Sequence, residues 1–336
     1  MRRKSLFWLV IAGTLSIVFL TLLTISFYGY VLEKIGVDYV ENSSTYKYHY
    51  VMIVGNTESV FWKDVYDSIR QEAAKEEAYV ELRGMDQSTD YTILDFMDMS
   101  IAAKVDGIWL EYADEEGLPE KIDEAEMMGI PVVTILNDAP TTKRSSYVGI
   151  NSYQLGQEYG YELMHLLPDQ DEIRIMVLLR NNSIDSNQSQ IFNQINNIMV
   201  TTPETSRRVR VKEIKIPSTR AFESEEIVWR LFQDEQEQPD IIVCMDEVDT
   251  ETVYQAVIDY NRVGKTQIIG YYTSSTALEA VRRGTMSKTL SIDTDEMGRY
   301  SVQAMTECKR DGRTNSFYSV DLQFVTRDNV SQYIEK

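Results

Sequence analysis

Gly129-Ile130-Pro131-Val132-Val133-Thr134-Ile135-Leu136 is an almost unbroken apolar run, closed by the polar pair Asn137-Asp138. A continuous run, in place of strict polar–apolar alternation, predicts a strand over 131–136 buried on both faces, as in a parallel sheet covered by helices. Upstream, Val105-Asp106-Gly107-Ile108-Trp109-Leu110 has the same character, and a helical period over 118–128 separates the two. Extending this reading in both directions predicts strands at 50–55, 79–83, 107–112, 131–136 and 146–150. A second series follows at 172–179, 209–216, 240–245, 267–272 and 288–292. Helical periods fall between strands at 63–76, 93–104, 118–128, 155–167, 225–233 and 250–263. Strand–helix alternation of this kind builds βαβ units. The two series are each about one domain long, so the chain reads as α/β, with two doubly wound parallel-sheet lobes.

Composition narrows the function. Of 336 residues 43% are hydrophobic and seven are proline, enough for a packed core. The formal net charge of −20 argues against nucleic-acid binding, which needs clustered Lys and Arg. Two cysteines and two histidines exclude a disulfide scaffold and a His-rich or Cys-rich metal site, so neither metal nor cofactor is expected. Cys244 lies in an apolar run and Cys308 in a helical stretch, which reads as two mostly buried thiols. His49 and His165 are far apart in the chain and neither has an evident reactive partner. GxGxxG, phosphate-loop, GxSxG and HExxH patterns are missing, so an enzyme is not expected and no catalytic residue is assigned.

The N-terminus has its own logic. Ser5 to Leu32 runs without a charge, a length that spans about 42 Å as a helix against a hydrocarbon core of about 30 Å. Arg2, Arg3 and Lys4 precede it, and Phe27, Tyr28 and Tyr30 close it, as the positive-inside rule and an aromatic belt require. A cleaved signal peptide, the competing reading, has an apolar core of about 7–15 residues and a small-residue cleavage site. The expectation is a cell-membrane protein with a single uncleaved span over 5–32, residues 1–4 cytoplasmic, a stalk over 33–47, and the rest extracytoplasmic.

With these residues in view, the outer portion resembles the type I periplasmic binding proteins, the family of ribose-, galactose- and xylose-binding proteins. The likeness is carried by Val51-Met52-Ile53-Val54 with Phe61-Trp62, by Val105–Leu110, by Gly129–Ile135 followed by Asp138-Ala139-Pro140, and by Tyr147–Asn151 with Gly156. It continues through Ala277–Val281 with Gly284, Asp295–Gly298, and Asp321–Val330. The resemblance implies two lobes joined by a three-strand hinge and closing on a small polar ligand, a sugar in this family. The lobes would comprise 48–150 plus 292–318, and 151–291 plus 319–336.

A doubly wound sheet binds ligand beyond the carboxyl ends of its strands, so the resemblance places ligand-binding candidates there. Phe61 and Trp62 match the family's sugar-stacking aromatic pair, or they pack as a helix-entry staple. Asn137 and Asp138 follow the fourth strand, where Leu136 takes the position of a usual Asp; Asp138 otherwise caps a turn. Asp246 matches a polar residue after its strand, Tyr272 stands where an Asp is usual, and Gln188 falls near a commonly used Arg. Arg180 and Asp293 are rim charges, either compensating for these changes or simply solvated. Implied partners are a membrane histidine kinase, with the chain as sensor, or an ABC permease, with the chain as the capture subunit.

Overall fold

The computed structural model describes residues 13–14, 16–24, 26–27, 46–87, 91–113, 115–180, 187–216, 221–233 and 238–334. Two compact units are present, 1–45 and 46–336. In the first, the described residues are helical, with exposed side chains such as Ile17 and Phe19. The hydroxyls of Thr21 and Thr24 donate back to the carbonyls of Ile17 and Leu20, each at 2.6 Å. Among the described residues no helix is long and apolar enough to cross a membrane. The expected span over 5–32 and the stalk over 33–47 extend well beyond the described residues.

The second unit carries two six-stranded sheets among its described residues. One is built from β1 (Tyr48–Val54), β2 (Ala78–Gly84), β3 (Gly107–Leu110), β4 (Val132–Ile135), β5 (Ser146–Gly149) and, late in the chain, β11 (Phe317–Ser319). Its order is β11-β5-β4-β3-β1-β2, parallel throughout. The other contains β6 (Ile173–Leu179), β7 (Val209–Lys215), β8 (Ile241–Cys244), β9 (Gln267–Tyr271), β10 (Lys288–Ile292) and β12 (Leu322–Val325). Its order is β12-β10-β9-β8-β6-β7, parallel except for β12 against β10. Both follow the 2-1-3-4-5 winding of flavodoxin-like sheets, so the order reverses between β1 and β3 in one lobe and between β6 and β8 in the other.

Helices cover the sheets: α1 (Val60–Ala74), α2 (Ile93–Ala103), α3 (Leu118–Met127), α4 (Ser152–Leu166) and α5 (Asn187–Thr201). They continue as α6 (Ala221–Gln233), α7 (Glu247–Asp259), α8 (Ser275–Arg283), α9 (Thr294–Asp311) and α10 (Ser331–Ile334). Strands β1, β3, β4 and β8 are buried almost throughout, which explains their unbroken apolar sequences. One buried cluster runs through both lobes, from Trp109, Ile135 and Val148 to Tyr159, Ile175 and Met297. Each lobe adds a second cluster of its own, around Phe96 and Ile122 or around Phe232 and Val253. Helix α9 lies directly on α1, where a Cβ on Gly298 would sit 2.1 Å from Ser68 Oγ.

The chain passes between the lobes at 149–152, 292–294 and 319–322. Val320 N–H donates to Gly149 O at 2.9 Å and Asp293 N–H to Asp321 O at 3.0 Å, tying the crossings together.

Helix α5 and strand β11 had no counterpart in the sequence reading. Helix α5 buries Ile191, Ile195 and Met199, with Phe192 and Ile198 packed partly buried beside them. Positions 191, 192, 195, 198 and 199 make an ordinary amphipathic face that the sequence reading passed over. Strand β11 is a three-residue edge strand in which only Tyr318 is buried.

Candidate ligand-binding site

At the reversal point of the first sheet, Gly55 follows β1 and Glu111 follows β3. The Gly55 N–H donates to Glu111 Oε2 at 2.7 Å, and Trp62 helps hold the charged form of the same carboxylate. At the matching point of the second sheet, Arg180 follows β6 and Asp246 follows the end of β8. Arg180 Nε lies 3.0 Å from Asp246 Oδ1, and its guanidinium donates to both oxygens of Asp249, at 3.0 and 2.8 Å. Asp246 also caps α7, accepting from Val248 N–H at 2.9 Å and Asp249 N–H at 3.2 Å. Each reversal point thus ends in a fixed cluster of charged and polar groups. The two clusters face one another, since Glu111 interacts electrostatically with both Asp246 and Arg180.

Burial dominates the titration of these groups. It pushes the Glu111 carboxyl up to about 7, with Asp246 adding to the rise and the Gly55 N–H bond opposing it. Burial, then the neighbouring Asp249 charge, pushes Asp246 up to about 6, against the pull of Arg180. The phenols of Tyr147 and Tyr271 are likewise raised by burial.

Direct contacts close the cleft on two sides. On one, Ser59 Oγ donates to Glu247 Oε2 at 2.7 Å, the Tyr272 hydroxyl donates to Asp64, and Phe61 meets the Tyr272 ring edge-on at 5.0 Å. On the other, Asn187 Nδ2 donates to Leu136 O and to the Tyr147 hydroxyl, both at 2.8 Å. Two residues that shape these contacts, Leu136 and Tyr272, have left-handed backbones, φ 63° and 67°. At Leu136 the Asn137 N–H returns to Ile135 O at 2.7 Å, a tight γ-turn, and such strain is found where a site over-determines the chain.

The candidates from sequence fall in different places. Phe61 and Trp62 occupy the first turn of α1, almost fully buried and packed edge-to-face at 4.8 Å. Trp62 reaches Glu111, and Phe61 reaches the opposite lobe through Tyr272. Gln188 lies in the first turn of α5, where it accepts from Arg180 N–H at 2.7 Å and donates to Met245 O at 3.1 Å, bracing the ends of β6 and β8. Asp138 stays within its own lobe. Its carboxylate is held by Arg144 Nη2 at 2.8 Å and by Ala139 N–H at 2.7 Å, the arrangement of a turn cap. Asn137 is half-buried beside it. Asp293 is exposed and caps α9 through Glu296 N–H at 2.8 Å, beside a surface hollow of about 320 Å³ shared with Ser68, Gln71 and Arg299.

Arg180 is not the solvated rim charge of one sequence reading. Its side chain is 18% exposed and paired with a fully buried Asp249. Glu111 and Asn187 fall in stretches directly after strands, 111–114 and 180–188, where the sequence reading expects ligand, although it singles out neither as a binding residue. Asp249 carried no such signal, because it acts from the first turn of a helix.

The two Asn187 bonds give a direct test of closure. Asn187→Ala removes both, each contributing about 1 kcal/mol, and the open fraction should rise about tenfold or more. Small-angle scattering should record a larger radius of gyration; an unchanged radius would show that the bonds do not hold the lobes together.

The sequence profile of the periplasmic binding protein domain matches residues 50–312. No curated protein matches the chain by sequence. Among solved structures, GanP, a glucose-galactose binding protein from Geobacillus stearothermophilus, is 23% identical with a TM-score of 0.73, covering 84% of this chain and 98% of its own. A sugar ABC transporter sugar-binding protein from Bacillus halodurans is 23% identical with a TM-score of 0.70, covering 85% and 99%. A chain of a XylFII–LytSN complex is 22% identical with a TM-score of 0.70, covering 84% and 98%. At these identities the likeness establishes the shared two-lobed fold.

Proposed function

We propose, from the premise that the chain belongs to the periplasmic binding protein family, that it is a membrane-tethered extracytoplasmic carbohydrate-binding sensor. One observation carries the binding role. Two sheets of identical winding bring their reversal points face to face, and each presents a fixed cluster of polar groups there. Carbohydrate is favoured because hydroxyl-rich ligands suit the acceptor oxygens of Glu111 and Asp246, with Trp62 beside them. Structural relatives described as sugar-binding proteins support the same class.

Membrane tethering rests on the uncharged run over 5–32 and the basic residues before it. A membrane histidine kinase is the partner this sensing role calls for. A structural relative that assembles with a second protein, LytSN, supports the sensing arrangement. Closure shifts that partner only by the ligand's preference for the closed over the open form. The second reading, capture subunit of an ABC importer, is favoured by the relative described as part of a sugar ABC transporter.

A thermal-shift screen of the full chain in detergent micelles against pentoses, hexoses, polyols and amino acids tests the ligand class. A true ligand at about 100 times its dissociation constant adds about 2.7 kcal/mol. Stabilisation by amino acids and by no carbohydrate would overturn the assignment. Sugar-dependent autophosphorylation of a kinase encoded beside this chain supports sensing. Uptake of labelled sugar that needs an adjacent permease supports import.

A further inference from the structure

We infer that the hinge side of the molecule is a docking surface for an extended, basic segment of a partner protein, added as a strand to the free edge along residues 319–324. The inference stands apart from the ligand class and from the choice between sensor and importer. Strands β11 and β12 are edge strands of the two sheets, and two residues separate them in the chain. Their hydrogen bonds show which backbone groups face outward. In the β10–β12 ladder Ser291 lies opposite Gln323 and Thr289 opposite Val325, and the Asp293 N–H donates to Asp321 O at 3.0 Å. Antiparallel pairs alternate between bonded and non-bonded, so 321, 323 and 325 point to β10 while Leu322 and Phe324 point away.

On β11, Tyr147 N–H donates to Ser316 O at 3.1 Å and Val320 N–H to Gly149 O at 2.9 Å, which turns the backbone of Ser319 outward in the same way. The Phe324 carbonyl accepts from Asn329 Nδ2 at 3.1 Å. Among the described residues, the Leu322 N–H and C=O and the Phe324 N–H are left for a partner strand. A groove of about 430 Å³ follows this edge, with Gln154, Leu155 and Glu158 of α4 on its opposite wall. Exposed edges are ordinarily blunted by charge, above all lysine, or by proline. Strand β7, at the far edge of the same sheet, obeys that rule with Arg210, Lys212 and Lys215. The run Ser319-Val320-Asp321-Leu322-Gln323-Phe324 has neither lysine nor proline, and its one charge is acidic.

Charge selects the occupant. The groove is lined by Glu158, Glu162 and Asp321 and by no Lys or Arg. Glu162 is paired with Lys288, whose side chain is 9% exposed and stands over the Phe324 ring. Glu158 and Asp321 are exposed, and among the described residues neither has an ion-pair partner. A lysine or arginine of the added strand would meet these carboxylates, while main-chain bonds to Leu322 and Phe324 would hold the strand in place. A second copy of the chain would instead bring a second acidic edge against the first, in a protein of net charge −20. The groove includes Ile150, Asn151 and Ser319–Asp321 of two crossings, so its occupant touches the segments about which the lobes turn.

The test uses the full chain in micelles of a non-ionic detergent and three capped, fluorescein-labelled hexapeptides. One alternates lysine and valine, one alternates glutamate and valine, and the third is the lysine peptide N-methylated at every residue, which keeps the charge but offers no N–H. Fluorescence anisotropy measures affinity and hydrogen exchange locates the site. The lysine peptide should bind about tenfold or more tightly than either control. At saturation it should slow amide exchange over 319–325 by about threefold or more. The double variant Glu158→Lys with Asp321→Lys should reverse the preference in favour of the glutamate peptide. Leu322→Pro removes an outward donor and leaves the ladder to β10 intact, so it should abolish binding; if that variant fails to fold, the charge reversal decides alone. Equal binding of the lysine peptide and its N-methylated form overturns the inference, as do protection elsewhere, an unreversed preference or no binding at all. Sedimentation showing a dimer that Leu322→Pro dissolves would assign the edge to a second copy and overturn it too.

Discussion

Arg180→Met is expected to destabilise the folded body by about 3–5 kcal/mol, the range for removing one partner of a buried ion pair. The guanidinium supplies two hydrogen bonds to Asp249, whose side chain is 0% exposed, and one ion pair to Asp246. Its loss leaves two aspartates side by side in a region that water reaches poorly. At roughly 2–4 °C per kcal/mol for a protein of this size, the melting temperature should drop by about 10 °C. The double variant Arg180→Met with Asp249→Asn should recover much of that loss, because the pair is removed together. Thermal or urea denaturation measures both. A single-variant loss below about 1 kcal/mol would mean that the pair behaves as a surface contact, and that the lobes do not enclose it.

The second large effect concerns pH. Folding stability should fall as pH rises from about 5 to about 7, contrary to the usual acid-denaturation slope. Glu111 holds its proton to about 7 in the folded state against an ordinary 4.5, and Asp246 to about 6 against 3.8. Between the paired values the folded chain binds more protons than the unfolded chain, so the derivative of unfolding free energy with pH is negative. Both groups retain some solvent access, which limits the total change to on the order of 2 kcal/mol. The carboxylates whose values are lowered, Glu279, Glu307 and Asp311, contribute the opposite slope, but in a more acidic range. Glu111→Gln should flatten the decline and make the protein more stable than the parent at pH 8. Urea midpoints at pH 5, 6, 7 and 8 decide the matter, and a parent that grows steadily more stable across that range would refute the buried-carboxylate picture.

These effects bear on how the lobes communicate. The contacts from Asn187 to Leu136 and Tyr147, and from Glu247 to Ser59, cost little to remake, whereas the Glu111–Asp246–Arg180 cluster changes energy whenever the cleft gains or loses charge. A ligand that neutralises the cluster would bias closure through its differential affinity for the two states, and the hydrogen-bonded crossings at Gly149–Val320 and Asp293–Asp321 would carry that bias to the hinge.

Much of the architecture was legible before any coordinates. Strands such as Val132–Ile135 and Ile241–Cys244 announce themselves because burial on both faces demands unbroken apolar sequence, and their residues are buried. Asp246 could be singled out because the rule that ligands gather beyond strand ends needs only the strand boundary. Helix α5 was passed over although Ile191, Phe192, Ile195, Ile198 and Met199 carry a helical period, and it places Gln188 in a first helical turn.

The sequence by itself determined the α/β class, the duplicated strand–helix series and the acidic character of the chain, since each depends on local pattern or on composition. Only the tertiary structure decided which strand-end residues share a site. Asp138 and Asp246 both follow strands and look equivalent in the chain. One is satisfied by an arginine six residues away within its own lobe, and the other faces a glutamate 135 positions earlier across the cleft. The reason is physical: a charged side chain takes its role from what lies within a few ångströms, and in a two-lobed protein those neighbours are set by sheet winding and lobe closure, not by proximity in sequence.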